Sequence, residues 1–167
     1  MTKFFILTLF VTLILTACKT ELREEQTGNE RKQLAYDTVN TTIIFWDKNS
    51  RYPFDSVNYK AATLTQEDLK QLDSLFNICV TGYNNSLPDG HDDYKIDLKS
   101  NDYKKQLVAV INSEGEKELW VNCFCNHWNK AWKTEILVVH DGGPCYFNFK
   151  INLTRKKIYD LGVNGFA

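Results

Sequence analysis

Cys145-Tyr146-Phe147-Asn148-Phe149-Lys150-Ile151-Asn152 alternates apolar and polar residues at a period of two, and this stretch decides the fold. A strand that points Phe147, Phe149 and Ile151 inward and Asn148, Lys150 and Asn152 to water belongs to a sheet with one wet face. On its C-terminal side Thr154-Arg155-Lys156 reads as a turn into a last strand, Lys157-Ile158-Tyr159-Asp160-Leu161, before Gly162. On its N-terminal side Asp141-Gly142-Gly143-Pro144 is turn chemistry. Further upstream lie three more runs rich in β-branched and aromatic residues: Gln106 to Ile111, Glu118 to Phe124, and Glu135-Ile136-Leu137-Val138-Val139-His140. Ser113-Glu114-Gly115-Glu116 turns between the first two, and Asn126 to Lys133 is a longer connection.

Ahead of these strands sits one helix. Thr65 is a good N-cap, Asp68 three residues on completes an approximate capping box, and Leu69, Leu72, Leu75, Phe76 and Cys79 recur on one face. Gly82 predicts its end near Val80. A strand, Thr41 to Trp46, precedes the helix, with an irregular stretch from Arg51 to Lys60 between them. The order strand, helix, then strands on short turns gives an α+β fold, one amphipathic helix packed on an antiparallel meander sheet of five to six strands. That order resembles cystatin-like folds, although the chain has no Gln-x-Val-x-Gly loop, and fold analogy carries no activity with it.

The N-terminus has a different character. Lys3 precedes an apolar run, Phe4 to Val11 and Leu13-Ile14-Leu15, too short for a membrane span of about 20 residues and laid out like a secretion signal. It ends in Leu15-Thr16-Ala17-Cys18, which resembles the lipobox of bacterial lipoproteins. The resemblance implies a signal peptide over 1–17, cleavage before Cys18, and acyl chains on that cysteine, since two or more chains anchor a protein stably. Residues 18–38 are polar and charge-rich and read as a lipidated flexible tether, with a single domain over 39–167. Lys19 is not the aspartate linked to inner-membrane retention, so the analogy favours the outer membrane. Asp37-Thr38-Val39, Asp55-Ser56-Val57 and Asp73-Ser74-Leu75 also resemble the O-glycosylation triplets of Bacteroidota, and the first, beside the tether, is the accessible one.

Of the 167 residues, 43% are hydrophobic and 13% aromatic, enough for a core without metals or staples. The formal net charge is -1, and removing Lys3 with the leader leaves 19 basic residues against 21 acidic. That balance disfavours nucleic acid and anionic membrane surfaces as partners.

Four cysteines remain besides Cys18. Export to an oxidising space favours disulfides among them. Cys79 at the end of the covering helix faces the strand carrying Cys123 and Cys125, so one bridge is expected from Cys79, to Cys123 ahead of Cys125, with Cys145 placed far from Cys125. Cys123, Cys125 and His127 alternate at period two and could take zinc with His140 and Cys145, although the spacing matches no standard zinc motif. Trp128 and Trp132 lie four apart and form either a ligand platform for a sugar or peptide or a hydrophobic plug over the sheet end. Pro88-Asp89-Gly90-His91-Asp92-Asp93 carries carboxylates that suit a solvated turn better than a calcium loop.

Catalytic sets are missing: there is no Gly-x-Ser-x-Gly, no phosphate loop and no His-Glu-x-x-His, and no cofactor is expected. The expected function is a lipid-anchored, non-catalytic binding or interaction module whose partner is an envelope protein or glycan. Its rivals are an inhibitor or immunity protein against a secreted hydrolase, using the Pro88–Asp93 loop, and a thiol- or metal-dependent enzyme using the cysteine and histidine cluster, with Cys125 and His127 as the thiol pair.

Overall fold

The alternation at Phe147, Phe149 and Ile151 buries all three against the helix in a computed structural model that describes residues 34–49, 52–55, 57–126 and 130–166. The signal peptide, Cys18 and its lipobox, the first part of the tether, Ser56, His127 and Trp128 lie outside the described residues. Seven elements are needed below: β1 (Thr41–Ile43), β2 (Lys60–Ala61), α1 (Gln66–Ser86), β3 (Lys104–Ile111), β4 (Lys117–Phe124), β5 (Tyr146–Asn152) and β6 (Lys157–Val163). The sheet runs β1-β3-β4-β5-β6, with β2 on the same edge of β3 as β1. Consecutive strands from β3 to β6 are antiparallel, whereas β1 pairs with β3 in parallel because α1 lies in the connection between them. The result is an α+β fold with one helix on a mostly antiparallel open sheet. Among the described residues no helix is long and apolar enough to cross a membrane.

Helix α1 begins where the capping chemistry places it. Thr65 accepts from the Asp68 amide at 3.2 Å, and Asp68 accepts from the Thr65 amide at 2.7 Å. Asp68 also takes the Lys117 ammonium at 2.7 Å, so one carboxylate ties the helix start to β4. Leu69, Leu72, Leu75, Phe76, Cys79 and Val80 form the buried stripe, with the Phe76 ring 6.1 Å from Phe147 and 5.9 Å from Phe149. A one-residue slip of β5 would bring Asn148 and Lys150 under that stripe, which fixes the register. The helix runs past Gly82 to Ser86. Glycine within a helix costs about 1 kcal/mol, and two contacts offset it: Tyr83 packs on the core, and the Asn84 amide exchanges two 2.9 Å hydrogen bonds with the Ile96 backbone.

The second face of the sheet is not wet. Val108, Val110 and Trp120 form a smaller core there under Trp46 and Phe54, and Asn152 is buried with them. The expected strand at Glu135–His140 supplies part of this cover and is not a strand. Both edges of β4 are taken by β3 and β5, so the segment crosses the face, and two buried amides do the work of a neighbouring strand. Gln106, fully buried, donates to the carbonyls of Trp132 (2.5 Å) and Glu135 (2.7 Å) and accepts from the Leu137 amide (2.9 Å) and from Asn122 (3.0 Å). Asn122 also donates to the Leu137 carbonyl at 2.8 Å. All four hydrogen-bonding positions of the Gln106 amide are thereby used.

Two predictions follow from these contacts. Replacing Gln106 by Leu leaves several backbone groups of the loop without partners and should cost about 2–3 kcal/mol by urea unfolding. The Leu137 amide should lose hydrogen-exchange protection while Val108 keeps it; unchanged protection at Leu137 would refute the bracing role. Burial pushes the Asp68 carboxyl up, but hydrogen bonds from Lys117 and Thr65 outweigh this and hold its pKa below the ordinary 3.8. A depressed folded pKa contributes stability above 3.8 that is lost as pH falls through the lower, folded value. Lys117→Met should therefore flatten the acid limb of stability below about pH 4, read from urea midpoints against pH.

Candidate functional site

The sulfur chemistry expected from the sequence is rearranged. Because the Glu135–His140 segment is not a strand, β4 pairs directly with β5, and Phe124 stands opposite Tyr146. One step further out Cys125 meets Cys145, Cα to Cα 5.0 Å, and these two form the disulfide, with the Cys125 amide donating to the Cys145 carbonyl at 3.0 Å. The expected Cys79–Cys123 bridge is absent, and both residues are free thiols buried in the core. One is on α1 and the other on β4, and both fill the core between those two elements. Burial pushes Cys79 up to about 11 and Cys123 higher still, so both keep their protons at neutral pH.

That arrangement removes the zinc candidate as conceived. Cys125 is oxidised, Cys123 faces the core as a thiol, and His127 lies outside the described residues. Among the described residues no group of three or more His, Cys, Asp or Glu side chains gathers to hold a metal. The paired Cys125 is likewise unavailable as a nucleophile for His127. Trp132 does not form a platform either: it is 5% exposed, its ring edge-on to Phe124 at 5.6 Å, and it serves as a plug. His140 is exposed.

Two surface features remain, one at each end of α1. Beyond the C-terminal end, residues 88–95 are all exposed. The loop is braced rather than loose: His91 donates to the Pro88 carbonyl at 3.2 Å, Gly90 takes the left-handed φ of 81° that the turn needs, and Asp92 pairs with Lys95 at 2.5 Å. The hydrogen bond from Lys95 holds the Asp92 carboxyl below its ordinary pKa. Tyr94, 37% exposed, meets the ring of Phe166, 55% exposed, edge-on at 5.2 Å. Phe166 reaches that place because Gly143 has no side chain; a Cβ there would lie 2.3 Å from the ring. Asn164 secures the tail through the carbonyls of Val139 (2.7 Å) and Asp141 (2.9 Å). Asp89, Asp92, Asp93 and Asp141 stand on the segments around this aromatic pair.

Before the N-terminal end of α1 lies a recess of about 380 Å³ lined by Leu34, Tyr36, Thr38, Ile43, Phe45, Ala62, Thr63 and Leu64. Leu34 and Tyr36 were expected within the tether, but they pack on the core, and Gln66 clamps Ala35 through both its amide and its carbonyl. The folded part therefore starts by Leu34. Thr38 and Val39 are exposed in a turn capped by Asp37, while Ser74 lies within α1. The sequence marks the Pro88–Asp93 loop, but it signals neither the pairing of Tyr94 with Phe166 nor the recess. Phe166 is an isolated residue near the C-terminus, and in a run as apolar as Thr41–Trp46 nothing distinguishes the exposed Phe45 from its buried neighbours.

The sulfur assignment is checked by counting thiols. Apart from Cys18, the native protein should react with no thiol reagent on the minutes scale, and the denatured, unreduced protein should show two thiols, mapping to Cys79 and Cys123. Reducing the Cys125–Cys145 bridge, which closes a loop of 20 residues, should cost about 3 kcal/mol. A bridge mapped to Cys79 would overturn the assignment.

Comparison with protein-family models, with curated proteins and with solved structures finds no match for this chain.

Proposed function

We propose that the protein is an exported lipoprotein, acylated on Cys18 and held at the outer membrane, that works as a non-catalytic interaction module. The Leu15-Thr16-Ala17-Cys18 sequence supports the address. The observation that carries the interaction reading is the exposed Tyr94–Phe166 pair among carboxylates, at the end of α1 away from where the chain enters the domain. Exposed rings that pack on one another and are held by a glycine and a latched tail are pre-organised, so a partner does not have to order them. Asp92 is paired with Lys95, while Asp89, Asp93 and Asp141 leave the surroundings acidic, which favours a partner segment rich in Lys or Arg that also offers cations to the ring faces. The partner class is thus an envelope protein with a basic surface. The buried, protonated thiols of Cys79 and Cys123 support a non-catalytic role.

The rival reading, an inhibitor or immunity protein against a secreted hydrolase, uses the same end of the molecule and rests on the exposed and braced Pro88–Asp93 loop. It is separated by stoichiometric loss of a hydrolase's activity when the chain is added.

The test has two parts. Mass spectrometry of protein from its own host should find the mature chain starting at an acylated Cys18; an intact leader would overturn the address. Affinity capture from the native envelope should yield a partner that elutes with rising salt, and Tyr94→Ala or Phe166→Ala should weaken it about tenfold, or ~1.4 kcal/mol. Equal capture by both variants would overturn the assignment of this surface.

A further inference from the structure

We propose that the opposite end of the domain, around Leu34, Tyr36, Ile43 and Phe45, rests on the phospholipid bilayer to which Cys18 ties it. This inference depends on the lipid anchor proposed above and adds an orientation to it.

Three observations converge on that end. The chain outside the described residues enters the domain at Leu34, which itself lines the recess. Phe45, on the same rim, is 75% exposed, and Val39, beside the lining Thr38, is also exposed. The side chains of the lining include no charged group, and the charges nearest in the chain or by contact are Asp37, between Tyr36 and Thr38, and Lys133, which donates to the Thr38 carbonyl at 3.2 Å. An apolar lining with an exposed phenylalanine at its edge suits the interface of a bilayer, where such rings pack against acyl chains and tyrosine keeps its hydroxyl in water.

Tether length completes the argument. Fifteen residues, Lys19 to Gln33, separate Cys18 from Leu34. A chain of that length spans at most about 50 Å. Once Cys18 is in the membrane, this rim meets lipid at the high effective concentration of an intramolecular encounter. A contact too weak to hold a free protein therefore suffices to orient a tethered one. Since α1 spans 21 residues, about 30 Å at its rise per residue, seating its first turn near the lipid places Tyr94 and Phe166 toward the aqueous side.

Quenching by brominated lipid tests this with the lipidated protein in phosphatidylcholine vesicles. The variants are Phe45→Trp and, as the control on the outward face of α1, Ile78→Trp, whose native residue is 61% exposed. The emission that each variant adds to wild type is compared in vesicles with and without dibrominated phosphatidylcholine. The Phe45→Trp increment should fall by about half or more, and the Ile78→Trp increment should be unaffected, as expected for one face at the acyl boundary. Equal quenching of the two, or quenching of neither while the protein floats with the vesicles, overturns the orientation and leaves the anchor standing. Failure of the wild-type protein to float at all overturns the anchor, and the orientation falls with it.

Discussion

Gln106 has no accessible surface and makes four hydrogen bonds, and the far side of the sheet depends on it. A sheet covered on one face by a helix can leave the other to water. This one is covered on both, by α1 and by two irregular segments, and irregular backbone has polar groups that must be satisfied when buried. The segment from Trp132 to Leu137 has no strand beside it, so side-chain amides supply the donors and acceptors that a strand would have offered. Asn122 shares the task, and the disulfide between Cys125 and Cys145 holds the base of the same loop. Apolar packing through Ile136 and Trp132 gives the loop its adhesion, and the amides give it a position.

That arrangement explains what the sequence made legible and what it concealed. The last two strands, the β3–β4 hairpin and the start of α1 were readable because each is set by local pattern: alternation at Phe147, Phe149 and Ile151, and the Thr65–Asp68 box. The run Ile136-Leu137-Val138-Val139 has the composition of a strand, and composition cannot tell whether a sheet edge is free to receive it. Inserting a strand there separates Cys125 from Cys145, whereas omitting it sets them face to face. One assignment thus decided both the topology and the bridge. The end of α1 was misjudged for a related reason, since Gly82 is a local signal and the Asn84–Ile96 clamp that overrides it joins residues 12 apart.

The sulfur pattern also constrains chemistry. A disulfide beside free thiols is open to exchange only if a thiolate can attack it. Cys123 shares a strand with the approach to Cys125, yet burial keeps its proton on, and Cys79 is held in the same state. Thiols in this condition behave as small hydrophobes filling the space between α1 and β4. The Cys125–Cys145 pair is then not scrambled through its neighbours.

What remains for function lies on the surface, and the length of α1 separates it into two regions of different character. One has uncharged lining and exposed Phe45; the other has carboxylates around Tyr94 and Phe166. The Pro88–Asp93 loop was legible, but neither region was visible as a whole, because each gathers residues from three separate parts of the chain: 34–38, 43–45 and 62–64 at one end, 88–95, 141–143 and 164–166 at the other. Both are pinned by specific contacts, Gln66 on Ala35 in the first case and Asn164 on Val139 and Asp141 in the second. Irregular segments held this firmly at the two ends of a single helix keep their separation. A contact made at one end therefore sets the direction in which the other is presented.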